Sequence, residues 1–116
     1  MTTYVNNAIA DAMFIDLANE ATLTRRPITP HEATAIIAEG VVTAFNPSHA
    51  TTTTLVERRT GVAIPVAQTA RRIKLGIGDR VLVVTMDGPL PRATREWSEE
   101  EIKKMNFSFA LWTVVG

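Results

Sequence analysis

The stretch Ala44-Phe45-Asn46-Pro47-Ser48-His49-Ala50-Thr51-Thr52 holds the chain's densest set of residues able to act on a phosphate. An apolar strand ends at Phe45, an Asn-Pro turn follows, and a helix opens with Ser48 as its N-cap. The first turn of a helix presents unpaired N–H groups and partial positive charge, which together make a ready anion site. Ser48, Thr51 and Thr52 add hydroxyl donors at the same place. An imidazole at His49 suits a general acid that protonates a departing oxygen near neutral pH. The plainer alternative gives Ser48 a capping role alone and leaves His49 a solvated helix residue.

A second group is cationic: Arg58, Arg59, Arg71, Arg72 and Lys74, with Glu57 the one acid beside them. The guanidinium fork suits bidentate phosphate contacts. In a chain with no net charge, such a zone points to a small anionic ligand rather than a long polymer. For most of these cations the alternative is a solvated helix or strand face. Asn6-Asn7 within the first strand is unusual, because asparagine is depleted in strands. The pair either lines a pocket at the strand's end or marks a bulge. His31 reads as an exposed residue of a capped helix. No Gly-rich phosphate loop, His-Glu metal motif or nucleophile elbow occurs, and Asp11 and Asp16 lack the partner of a glycosidase pair.

The remaining composition narrows the class. The chain has 116 residues, enough for a single domain over 1–116 with one core. Twelve basic and twelve acidic side chains cancel, so a duplex nucleic acid or an anionic membrane has no broad positive face to bind. The longest apolar runs, Val81 to Met86 and Phe109 to Val115, fall far short of the ~20 residues that span a bilayer. No basic stretch precedes an apolar block at the start. The absence of cysteine removes disulfides and thiolate chemistry, and two histidines are too few for most protein zinc cages. The expectation is a cytoplasmic domain that calls for no metal and no cofactor.

These residues are positioned by elements with clear signals. Thr29-Pro30-His31-Glu32 is a capping box, with an apolar stripe at Ala33, Ile36 and Ile37 and a stop at Gly40. Ser98-Glu99-Glu100-Glu101 is a second, for a short helix ending near Asn106. A third helix runs from Ser48 to Gly61 despite four consecutive threonines, which are β-branched and weak helix formers. Strands are expected over Tyr4–Ile9, Ala21–Arg25, Val41–Phe45, Arg72–Leu75, Arg80–Met86 and Phe107–Val114. The Gly76-Ile77-Gly78-Asp79 turn would join the fourth and fifth into a hairpin. This order predicts an α/β (α+β) fold, a mixed sheet of about five strands with helices packed on it.

Taken in sequence, these segments resemble a family of small proteins from archaeal viruses, bacteriophages and integrative elements. Some viral members are anti-CRISPR ring nucleases that degrade cyclic tetra-adenylate. Val5-Asn6-Asn7-Ala8-Ile9 is similar to the family's "N-A-F-S" strand, and Ile28-Thr29-Pro30-His31-Glu32-Ala33 to its "I-T-x-E-E-A" helix start. Val42 to Phe45 followed by Ser48 to Thr52 resembles "S-A-I-G-H-x-S-T". Leu55 to Pro65, Gly78 to Val83, Trp97 to Ile102 and Phe107 to Phe109 complete the likeness.

The resemblance implies a two-fold dimer with a cyclic oligonucleotide across its interface, in a host cytoplasm. It implies metal-free cleavage, in which a ribose 2′-hydroxyl attacks the adjacent phosphodiester and a histidine protonates the 5′-oxygen. It places that histidine at His49, a pocket-lining asparagine at Asn7, a phosphate contact at Thr51 and a strand arginine at Arg71 or Arg72. This chain also departs from the pattern. Where active members carry "R-[LP]-P-E-G", it has Gly88-Pro89-Leu90-Pro91-Arg92-Ala93, so Arg92 supplies positive charge from a shifted place and the carboxylate is missing. Ala10 replaces a serine, and Asn46-Pro47 is an apparent insertion before Ser48. Three functions follow as expectations: ring nuclease, non-cleaving cyclic-nucleotide binder, or small structural dimer of a mobile element.

Overall fold

The computed structural model describes residues 1–14, 17, 21–69, 72–87 and 98–115. Five strands form one mixed sheet: β1 (Thr3–Asn6), β2 (Thr22–Ile28), β3 (Val42–Thr43), β4 (Arg80–Met86) and β5 (Phe107–Val115). Their order across the sheet is β2-β5-β4-β1-β3. Three α-helices, α1 (Pro30–Glu39), α2 (Ala50–Thr60) and α3 (Glu99–Lys103), complete the α+β domain. β1 pairs in parallel with both β3 and β4, while β5 is antiparallel to β4 and β2. The chains of β1, β3 and β4 therefore all leave the sheet at one pole.

Both faces of the sheet are covered. On one, Val5, Leu82, Val84 and Phe109 pack against Ala33 and Ile36 of α1 and Val56 of α2. On the other, Val81, Val83 and Val114 pack against Met13, Ile73 and Leu75. That second layer is not a strand. Residues 72–75 alternate exposed and buried as a strand would, yet they lie across the sheet face, tied by Leu75 N–H to the Met13 carbonyl at 2.7 Å. The expected hairpin does not form, because β4 is already paired with β5 on one side and β1 on the other and leaves no ladder for the segment.

Other boundaries moved for local reasons. β1 stops at Asn6 rather than Ile9, and β3 shrinks to two residues. Phe45 N–H bonds the Thr43 hydroxyl at 3.1 Å and its carbonyl takes Ala67 N–H, so the chain turns out of the ladder. β2 runs through Pro27, opposite Ala110, because an edge strand tolerates proline where the missing N–H faces away from its partner. The four-threonine helix forms because Thr53 sends its hydroxyl to the Ala50 carbonyl and Leu55 and Val56 are buried. Arg58 pairs with Glu99, and Arg59 Nε donates to the Met105 carbonyl at 2.8 Å. These two arginines join α2 to α3 and its exit.

The amino pole is stitched by polar contacts. The Asp79 carboxylate accepts Thr2 N–H at 2.8 Å and Gly76 N–H at 2.9 Å. Asp79→Ala is expected to cost about 2–3 kcal/mol in chemical denaturation, since both amides lose a charged acceptor. The capping box of α1 adds a pH-dependent element. Hydrogen bonding to Arg26, then to Thr29 N–H, holds the Glu32 carboxyl below its ordinary value of 4.5. A lowered folded value means this contribution is complete above the unfolded value and is lost as pH falls through the folded one. Denaturation midpoints measured from neutral pH downward should therefore drop less steeply in Glu32→Gln than in the parent chain.

Candidate functional site

Parallel strands deliver their following loops to a common pole, and ligands of open α/β sheets bind beyond those carboxyl ends. Here that pole collects Asn6-Asn7 after β1, the Asn46–Thr52 stretch after β3 and Asp87 after β4. The β3 exit is built from the sequence upward. Asn46, not Ser48, caps the 3-10 turn that precedes α2, and α2 itself begins after His49 with no side-chain cap: the Asn46 side-chain oxygen accepts Ser48 N–H at 3.0 Å and also the Ser48 hydroxyl. Pro47 takes the next position, where a missing N–H is harmless. A single 3-10 turn, Pro47–His49, then leads into α2.

His49 closes the capping box from the other side. Its Nδ1 accepts the backbone N–H of Asn46 at 3.1 Å, and its ring stands edge-on to Phe45, with centroids 5.4 Å apart and planes at 82°. The ring is half-buried, and its Nε2 has no partner among the described residues. Ser48 and Thr51 are exposed and Thr52 is half-buried beside it. The expectation that Ser48 caps the helix is thus corrected. An asparagine ahead of Pro47 reaches Ser48 N–H first and takes its hydroxyl too.

The cationic half of the site lies on the opposite face of the sheet. A cleft of about 460 Å³ is lined by Asn6, Ala10, Ala12, Met13, Arg72, Ile73 and Lys74. Arg72 and Lys74 are exposed, and neither has an acidic side-chain partner among the described residues. Asn6 borders this cleft with its amide donating to the Ala8 carbonyl at 3.2 Å, whereas Asn7 is exposed beyond the end of β1. Arg71 and Arg92, with the Gly88–Ala93 stretch, lie outside the described residues. Arg58 and Arg59 are drawn off to α3, as above.

A second concavity of similar size, about 440 Å³, sits at the amino pole among Met1, Thr2, Thr3, Glu39 and Arg80. Its charges answer one another. Arg80 donates to the Thr3 hydroxyl at 2.9 and 3.1 Å and faces Glu39 at 3.7 Å. The two concavities are similar in volume and differ in pairing: at the amino end Arg80 faces Glu39, whereas the cleft with Arg72 and Lys74 has no acidic side chain among its described lining residues. Among the described residues no three His, Cys, Asp or Glu side chains come together as a metal-binding group.

Comparison with solved structures finds this arrangement elsewhere. The chain aligns with B116 of Sulfolobus turreted icosahedral virus at a TM-score of 0.68, covering 97% of this chain and 99% of that one. The fold is shared with a viral protein. Sequence identity is 18%, so the likeness speaks for the architecture from β1 to β5. No family model matches the chain, and no curated protein matches it. No helix among the described residues is long and apolar enough to cross a membrane.

Because the side chains of Arg72 and Lys74 are exposed and have no hydrogen-bond or ion-pair partner among the described residues, removing their charge is expected to leave the fold intact. Arg72→Ala and Lys74→Ala should each shift unfolding free energy by less than about 0.5 kcal/mol. The double variant should nevertheless lose affinity for a phosphate-bearing ligand by roughly tenfold or more, read by calorimetric titration.

Proposed function

We propose that this chain is a viral or mobile-element protein that binds cyclic oligoadenylate, with cyclic tetra-adenylate as the first candidate. On this reading it opens the ring without a metal, to counter type III CRISPR signalling. The observation that supports it most is the carboxyl pole itself. His49, whose Nε2 has no partner among the described residues, and Arg72 and Lys74, with no acidic partner among them, flank the end of β1 from its two faces. A macrocycle carrying several phosphates is the kind of small polyanion that reaches both. A second copy of the chain, placed on a two-fold axis, would present the same groups again to a ligand with its own rotational symmetry. The resemblance to the ring-nuclease family supplies the substrate class, and the fold neighbour supports a viral setting.

The chemistry is transesterification. A ribose 2′-hydroxyl attacks the adjacent phosphorus and loses its proton to water, the bond from phosphorus to the 5′-oxygen breaks, and that oxygen takes a proton from His49, so one proton leaves and one arrives. A 2′,3′-cyclic phosphate remains. The protein's share is to hold the 2′-oxygen in line and to meet the departing oxygen at His49. A second reading, retention without cleavage, is favoured by one observation. With Nδ1 engaged by Asn46, the imidazole offers a hydrogen bond but has no second proton to transfer.

Incubating the full chain with cyclic tetra-adenylate in EDTA, followed by chromatography, separates these outcomes. Linear products are expected, falling by about 10²–10⁴-fold in His49→Ala. Tight binding of an intact ring gives the second reading. Cleavage that requires added metal, or no binding at all, contradicts the proposal.

A further inference from the structure

We propose that Asn46 is a positioning residue that locks His49 in the neutral, Nε2-protonated tautomer, so that the ring acts on a phosphate oxygen as a hydrogen-bond donor. The proposal rests on the reading above that His49 faces a phosphate. A ring nitrogen that accepts an N–H must present its lone pair, so the Asn46 amide at 3.1 Å fixes Nδ1 as the unprotonated position. The neutral ring then carries its proton on Nε2. In an ordinary capping box a glutamate or glutamine fills this place and takes the N-cap amide. Here the imidazole takes it, which consumes one ring nitrogen and leaves the other as donor.

Asn46 is itself held from three directions. Its backbone is extended, with φ −133° and ψ 177°. Its side-chain oxygen is tied to Ser48 N–H and to the Ser48 hydroxyl, and its carbonyl accepts His49 N–H at 2.8 Å. The edge-on Phe45 ring opposes rotation of the imidazole away from the amide. A second proton at Nδ1 would set two N–H groups against each other and break this contact. In the resting ring Nε2–H is therefore the group that meets a phosphate oxygen, as a hydrogen-bond donor. The apparent Asn46-Pro47 insertion is thus what sets the protonation site of the residue that follows.

Long-range proton–nitrogen correlation spectra of the 15N-labelled full chain at about pH 8, where imidazoles are neutral, read the tautomer directly. His49 should show one protonated and one lone-pair nitrogen as a single Nε2–H species, while exposed His31 shows the averaged pattern of a solvated ring. Asn46→Ala should shift His49 toward the averaged pattern, and Asn46→Ser, which keeps an N-cap acceptor, should restore the single species. On titration with cyclic tetra-adenylate the Nε2 resonance should move. An Nδ1–H tautomer in the parent chain, or an unchanged tautomer in Asn46→Ala, would overturn the proposal. Absence of ligand binding with the stated tautomers removes the phosphate reading alone and leaves the Asn46 lock standing.

Discussion

The parallel pairing of β1 with both β3 and β4 is the constraint on which the rest of the molecule depends. It buries β1 between two neighbours, so Val5 can anchor the helix-covered core while Tyr4 packs on the other side. It also dictates direction. Three strands that run the same way must release their chains at the same pole, and each release carries a polar segment that no ladder satisfies. The Asn6-Asn7 pair, the Asn46–Thr52 turn and Asp87 are neighbours in space for that reason, although the sequence separates them by up to eighty residues.

The two poles divide the work. At the amino end, Asp79 gathers the amides of Thr2 and Gly76, and Arg80 binds Thr3 and faces Glu39. Charges there close on one another and hold the first turn of the sheet. At the carboxyl end, the Ser108 hydroxyl donates to the Asp87 carboxylate, and beside that pair stands the capping box of Asn46, Ser48 and His49. It leaves a ring N–H outward, and Arg72 and Lys74 stand unpaired by acids across the sheet. Stability is thus concentrated at one end and unspent hydrogen-bonding capacity at the other, a division expected of a scaffold that carries a binding surface.

Much of this was legible from local signals. The capping boxes at Thr29 and Ser98 are present as read, because a cap needs only its own four residues. The five-strand mixed sheet followed from element order. What sequence could not supply was pairing. Residues 72–75 alternate like a strand, but whether a ladder is vacant depends on β4's neighbours. The second strand was expected to end at Arg25, and its place on the outer edge lets β2 continue through Pro27 to Ile28. At the site, Ser48 appeared to be the cap because serine is a common one. The signal that it was not was available one step earlier: Asn followed by Pro is itself an N-cap and first-position pair. The role of His49 as the box's acceptor was missed because that place normally holds glutamate or glutamine.

The most direct test of the account is a map of where a ligand lands. Backbone amide spectra of the labelled chain, recorded while cyclic tetra-adenylate is added, report each segment separately. The account requires the largest changes at Asn6-Asn7, Asn46 to Thr52 and Arg72 to Lys74, with Thr2, Glu39 and Arg80 unmoved. Changes centred on Thr2, Glu39 and Arg80 would put the binding surface at the wrong pole and contradict it.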